Sequence, residues 1–455
     1  MRSAERLFLA FFLTLFSGIA LSACGKSSSS GPPSTGGCPV ANSSCTSAAG
    51  PTPIPTSAAS TLPLYVADSS TTGQWGYPDE PLVSVTICTP NHTSSSQCQT
   101  ISNILLDTGS YGLRIFGSAI TNGGVQLVPQ TITVQGSTLN LAECALFGTG
   151  ADWGAVENAD VLLGNQTASN IPIQVIDVNY ASIPKDCSDL CPDTDPCTSG
   201  FNGILGVGPF TQDCGSNCET GDDQVNPGIY FGCDGTGCFD AYNGSCGTDG
   251  VCVFQPALGQ QVGNPVASFA TGFSNGVAVA LPGIGSSGAS AITSGSVTLG
   301  IGTPSSVVVY PADPSGMTDG KGMDIVTSFG ASAYGYGSSD GSIAFLDSGS
   351  NGIFFPGGLT TCQGGGFYCP SSTQPLSATI AGYTGSPTYG ASFSIANAQD
   401  LFNSGMTAFD NVGGPSSKMF DWGLPFFFGK TIYVGISGAS ATINGSSATG
   451  PYWAF

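Results

Sequence analysis

Residues 104–116 read ILLDTGSYGLRIF. An apolar run ends in Asp107, a turn of small residues follows, and Leu113–Phe116 resume the apolar pattern. A bare surface turn has no need of apolar runs on both sides. A carboxylate held rigidly at the end of a buried strand does. One carboxylate rarely carries hydrolytic chemistry alone, so the reading turns on whether the chain holds another. It does: residues 343–356 read IAFLDSGSNGIFFP, with Asp347 in the place of Asp107.

The two stretches belong to an internal repeat. VSVTICTP (83–90) leads to ILLDTGS (104–110), and SVTLGIGTP (296–304) leads to AFLDSGS (344–350). Each half has a strand ending in Thr-Pro, an intervening stretch, then an apolar strand ending in Asp-Thr/Ser-Gly-Ser. Two carboxyls brought together across a pseudo-twofold axis share a proton rather than both ionising, and they titrate as a pair. One member can then take a proton from water while the other hydrogen-bonds a scissile carbonyl. The neighbours have matching roles. Gly109 and Gly349 let the backbone turn closely, so that N–H groups reach the carboxylates. Ser110 and Ser350 can donate to the outer carboxylate oxygens. Thr108 and Ser348 can bond across to the opposite loop and set the spacing.

Composition fits a protein of short strands and turns. Of 455 residues, 67 are Gly and only 8% are charged, against 40% hydrophobic; glycine breaks helices and serves turns. The formal net charge of −21 opposes binding to nucleic acid or to anionic lipid. At the N-terminus, Arg2 and Arg6 precede the apolar stretch LFLAFFLTLFSGIA (7–20), which reads as a secretory signal over residues 1–23. The following LSAC (21–24) resembles a bacterial lipobox, which implies lipidation of Cys24, an N-terminal membrane anchor and, with Gly25 next, the outer membrane. Residues 24–61 are a Ser/Gly/Pro-rich tether.

Setting Cys24 aside leaves sixteen of the 17 cysteines, an even number that in an exported chain reads as up to eight disulfides. Proximity suggests Cys38–Cys45, Cys88–Cys98 and Cys362–Cys369. The other ten, Cys144 and nine between Cys187 and Cys252, cannot be paired from sequence. Zinc is the competing use for Cys187/Cys191 and Cys214/Cys218, but His92 is the only histidine, and no metal or cofactor is expected. The same lone histidine leaves no Ser-His-Asp triad to build. Asp213-Cys-Gly-Ser216 mimics the aspartate motif without an apolar strand before it.

Strands are expected at 82–88, 102–107, 113–116, 125–135, 160–165 and 171–178, and a short helix within SIANAQDLFNSG (394–405). With these in place, the chain resembles the pepsin-like aspartic peptidases over about residues 75–455. ALFGTGADWGAV (145–156) resembles the flap that closes over substrate, with Phe147, Gly148, Thr149 and Gly150 at its tip. FNGILGVGP (201–209) and DWGLPFFFGKTIYVGI (421–436) resemble the segments threading behind the first and second aspartates. The resemblance implies an all-β, bilobal fold. Its N-terminal lobe would span 62–285, with a Cys-rich insertion at 187–252, and its C-terminal lobe 286–455. It also implies a monomeric endopeptidase in which Asp107 and Asp347 act on an extended peptide in the cleft. Two positions depart from the family pattern. Phe147 stands where the flap carries tyrosine, and Arg114 where a tryptophan bonds that tyrosine. The departures leave open a rival reading, a pepsin-fold lipoprotein that binds peptide or a protein partner without cutting.

Overall fold

The computed structural model describes residues 60–67, 78–148, 150–223, 225–244, 251–315 and 323–455. The expected signal (1–23), the Cys24 lipidation site, the tether up to residue 59, the Cys38–Cys45 pair and Thr149 lie outside them.

Every run expected as a strand lies within or overlaps one. The first three fall in Glu80–Cys88, Cys98–Asp107 and Tyr111–Phe116. The stretch 125–135 splits into Val128–Pro129 and Thr131–Val134, and the last two lie in Gly150–Leu163 and Gln166–Ile176. The helix in 394–405 is one short segment, Ala398–Phe402, whose first turn is capped when Asp400 N donates to Asn397 Oδ1.

The strand Thr61–Ala67 joins the two halves of the chain. One edge pairs with Glu80–Cys88 and the other with Ile292–Leu299. From there the sheet continues through Gly276–Ala280 to Thr431–Gly435 and Tyr452–Ala454. The chain thus adopts the bilobal, all-β pepsin-like architecture, and the two aspartate regions show it most directly. In the first lobe, Gly203–Val207 runs parallel to Cys98–Asp107, with Gly206 opposite Asp107, and antiparallel to Tyr111–Phe116. In the second, Met419–Trp422 runs parallel to Ile343–Leu346 and antiparallel to Ile353–Phe355. Outside these, Gln166–Ile176 runs parallel to Tyr111–Phe116, and Gly413–Pro415 runs parallel to Ile353–Phe355. Both halves repeat one threading pattern.

That pattern buries strands on both faces, so their sequences are apolar without alternation. Gly203–Val207 and Ile353–Phe355 are buried at every residue. One apolar cluster runs from Leu62 through both threading segments to Trp453. In the second lobe it is aromatic. The Phe420 and Trp422 rings lie 4.7 Å apart, Phe355 stands 5.4 Å from Phe420, and Phe393 lies 5.3 Å from Trp422. Such pairs add about 0.5–1.5 kcal/mol each beyond the area they bury. They make the platform behind Asp347 stiff.

Cys88–Cys98 and Cys362–Cys369 form as proximity suggests. The structure also pairs Cys214 with Cys218, Cys233 with Cys238, and Cys144 with Cys187. Cys214 and Cys218 are therefore bonded to each other rather than to zinc, and Cys187 is bonded to Cys144 across 43 residues.

Candidate active site

Asp107 ends its strand and Asp347 follows the last residue of its own, so each carboxyl sits where a rigid strand meets a tight loop. The loops interlock. Thr108 N donates to Ser348 Oγ (3.1 Å) and Ser348 N to Thr108 Oγ1 (2.9 Å). The same hydroxyls donate onward, Thr108 Oγ1 to Leu346 O (3.1 Å) and Ser348 Oγ to Leu106 O (2.7 Å). Both side chains are fully buried, and both use donor and acceptor together. Four reciprocal bonds across about 240 residues of sequence fix one loop against the other.

Each carboxylate is also held from its own loop. Gly109 N donates to Asp107 Oδ1 (2.7 Å) and Gly349 N to Asp347 Oδ1 (2.8 Å). Ser110 Oγ donates to Asp107 Oδ2, and Ser350 Oγ to Asp347 Oδ2 (2.8 Å). Glycine is required at the second loop position for space. A Cβ on Gly109 would lie 2.5 Å from Asp347 Cγ, and one on Gly349 would lie 2.8 Å from Asp107 Cγ. The two carboxyls face each other across these glycines. Burial first, then the charges of Asp107 and Asp421, push Asp347 well above the usual carboxylate range. The facing carboxyls therefore favour holding one proton between them.

The expected flap is a hairpin. Ser137–Phe147 pairs with Gly150–Leu163, with Phe147 opposite Gly150 and the exposed Gly148 in the turn. Phe147 is half-buried against the main core cluster. The two departures from the family pattern turn out to be neighbours: the Arg114 guanidinium lies over the Phe147 ring, 5.6 Å from its centroid. Arg114 also donates to Glu143 Oε1 (2.8 Å), Asp213 Oδ2 (3.0 Å) and Tyr111 O (2.7 Å). Burial works against its charge, but Glu143 and Asp213 outweigh that and raise its pKa. Asp213 moves up as well, from burial and then from Glu143, while Arg114 and the Tyr230 hydroxyl (2.7 Å) pull it down. A buried charge cluster thus lies under this hairpin.

The Cys-rich insertion packs against this hairpin. Cys187 is bonded to Cys144 on the first flap strand, and Asp193 N donates to Ala151 O on the second (2.9 Å). Leu190 and Cys191 carbonyls lie beside Gly150. The insertion therefore braces the flap.

Of the residues expected at the site, the structure brings together Asp107, Asp347, Thr108, Ser348, Gly109, Gly349, Ser110 and Ser350, and it places Phe147, Gly148 and Gly150 at the end of a hairpin. Sequence reasoning missed Glu143 and Asp421, and set Asp213 aside as a mimic of the aspartate motif. The signal was a charge inside an apolar strand: Arg114 in LRIF, Glu143 in LAECALF and Asp421 in MFDWGL. His92 is half-buried, and its Nδ1 pairs with Asp160 Oδ2 (2.8 Å) rather than standing free in its loop. It lies beside Cys88 and Cys98, but those sulfurs are bonded to each other and offer a metal no thiolate.

The profile of a family described as "Protein of unknown function (DUF3443)" matches residues 56–455. No curated protein matches the chain. Among solved structures, the crystal structure of aspartic proteinase from Irpex lacteus is similar at 15% identity and a TM-score of 0.41, covering 87% of this chain and 96% of that one.

Proposed function

The chain belongs to the DUF3443 family, whose description attaches no activity, and from that premise we propose that it is an aspartic endopeptidase. The observation that carries this reading is the reciprocal Thr108/Ser348 interlock, which holds Asp107 and Asp347 face to face with the proton on one of them. A core has no use for two facing carboxyls. Their repulsion costs stability, and general acid–base chemistry is what such a pair is suited to.

In the proposed mechanism a water lies between the two carboxyls. The ionised member takes a proton from it while the protonated member gives its own to the scissile carbonyl oxygen. The water oxygen bonds to the carbonyl carbon, forming a neutral tetrahedral diol with no covalent enzyme intermediate. A proton then moves to the amide nitrogen, the C–N bond breaks, and the dyad recovers a single proton. Each positioned acid or base is worth about 10²–10⁴ in rate. The substrate is an extended peptide bonded like an added strand, with Phe147 covering it. The protein works as a monomer, exported and held at the outer membrane through lipid on Cys24. LSAC and the disulfides among the described residues support export.

A second reading has its own support. Phe147 cannot donate a hydrogen bond, and the flap is tied to the insertion by Cys144–Cys187. A braced flap suits a protein that binds peptide without cutting it. The deciding experiment incubates the folded, oxidised domain with a mixed peptide library between acid and neutral pH, beside an Asp107→Asn copy, with mass spectrometry as the readout. Cuts present only with the native protein support the peptidase. Retention of peptides without cuts at any pH supports the binder.

A further inference from the structure

We propose that the second lobe carries a separate binding site, built around Lys430 and Asp410, for a free zwitterionic α-amino acid with a large apolar side chain. The cleft that forms it shares no residue with the aspartate loops or the Phe147 hairpin. The inference does not rest on the peptidase reading.

The chain is sparing with cations, 8 Lys and Arg in 455 residues, so a half-buried lysine calls for a reason. Lys430 stands in the turn between the buried segment Leu424–Phe426 and the strand Thr431–Gly435. Its Nζ donates to Phe426 O (2.7 Å) and lies 4.2 Å from the centroid of the Phe426 ring. These two contacts fix the ammonium in place. An ammonium has three hydrogens, and the bond to Phe426 O uses one of them.

Asp410 is held as firmly. Its chain neighbours are pinned on both sides, Phe409 N donating to Asp79 Oδ1 (2.7 Å) and Asn411 Nδ2 to Ser286 O (2.8 Å). Asp410 and Lys430 line one cleft of about 340 Å³. The ion pairs among the described residues do not include this one, so the two charges stand apart in the same cleft. The Phe393, Phe426 and Phe428 rings supply an apolar wall, and Ser394 adds a hydroxyl.

Apolar walls with a few convergent polar groups are what small-molecule sites are made of. The charged groups here are one cation and one anion, so the matching ligand carries one of each, close together. A dianion such as a phosphate ester would meet a single cation in the field of a chain with a net charge of −21. A purely apolar ligand would cover both charges and give them nothing. An α-amino acid serves both: its carboxylate meets Lys430, its ammonium meets Asp410, and its side chain falls against the rings. Burial already lowers the Lys430 pKa and raises that of Asp410, and each charge draws the other only part of the way back. The two ends of the zwitterion supply the solvation that burial removes.

The test titrates L-phenylalanine into the folded, oxidised protein and follows binding by ligand-observed NMR. N-acetyl-L-phenylalaninamide, which keeps the ring and lacks both charges, is the control, and Asp410→Asn and Lys430→Met are the variants. The native protein should saturate with a Kd of about 1 mM, the strength expected of so small a ligand. The capped compound should bind at least about tenfold more weakly, and so should L-phenylalanine to either variant, since each loses a bond to a charged group. Lys430→Met also gives up the bond to Phe426 O; if it fails to fold, the near-isosteric Asp410→Asn decides. No saturation below about 50 mM overturns the site. Equal binding of the capped compound overturns the role of the two charges. Native affinity in a folded Asp410→Asn places the amino acid elsewhere, such as the dyad cleft, and overturns it as well. Cleavage enters none of these readouts, so the peptidase reading stands or falls separately.

Discussion

Replacing Arg114 with methionine tests whether the charge cluster under the flap holds the first lobe together. Methionine keeps much of the side-chain volume and removes the guanidinium. The lost contacts are the bonds to Glu143, Asp213 and the Tyr111 carbonyl, and the stacking on Phe147. Glu143 and Asp213 are left buried without their cation, and breaking a buried ion pair from one side costs about 3–5 kcal/mol. The loss should depend on pH, with a definite sign. Asp213 is raised in the folded state, and Arg114 is a charge holding it down. Without Arg114 it rises further, so the folded variant holds a proton that the unfolded chain releases near the ordinary value of about 3.9. Above that pH the folded state binds more protons, and stability falls as pH increases. The deficit should be about 3–5 kcal/mol at pH 7 and about 1–3 kcal/mol at pH 4, where lost hydrogen bonds remain. Urea unfolding at both pH values, followed by tryptophan fluorescence, measures this. Adding Glu143→Gln to Arg114→Met should recover part of the loss at pH 7. A deficit below about 1 kcal/mol, the worth of an exposed pair, or one equal at both pH values, would refute the argument.

The dyad and its buried neighbours give three further expectations. Asp347→Asn should lower cleavage by about 10²–10⁴ without loss of stability at pH 7, because it removes a raised carboxyl that opposes folding above its unfolded pKa; a variant that unfolds would point to a structural role instead. Gly109→Ala, whose Cβ would lie 2.5 Å from Asp347 Cγ, should spread the carboxyls and reduce kcat/KM about 100-fold; native rates in this variant would show that the dyad spacing is not used. Burial raises Asp79, Asp152, Asp213, Asp347 and Asp421. The folded state therefore keeps protons that the unfolded chain gives up from about pH 4, and thermal midpoints should fall from there toward neutral pH. A midpoint climbing steadily from pH 4 to 7 would count against these carboxyls setting the trend.

The sequence by itself determined the elements and the ends of the dyad. Strand runs bounded by glycine, the doubled Asp-Thr/Ser-Gly-Ser motif and disulfides between near neighbours are all local patterns, legible because backbone preference and short loops act within a few residues. The roles of Thr108 and Ser348 could be read as well, since the repeat implied that their loops meet. Tertiary structure alone decided what surrounds Arg114, Cys144 and Asp421. Arg114 finds Glu143 29 residues away and Asp213 99 residues away, and Cys144 finds Cys187 across 43. Asp421 acquires its buried surroundings only from the register that sets it against Phe345. No local preference specifies such partners. A buried charge or thiol must be satisfied by whichever group the chain crossing brings near, and that crossing is set by the packing of two whole lobes.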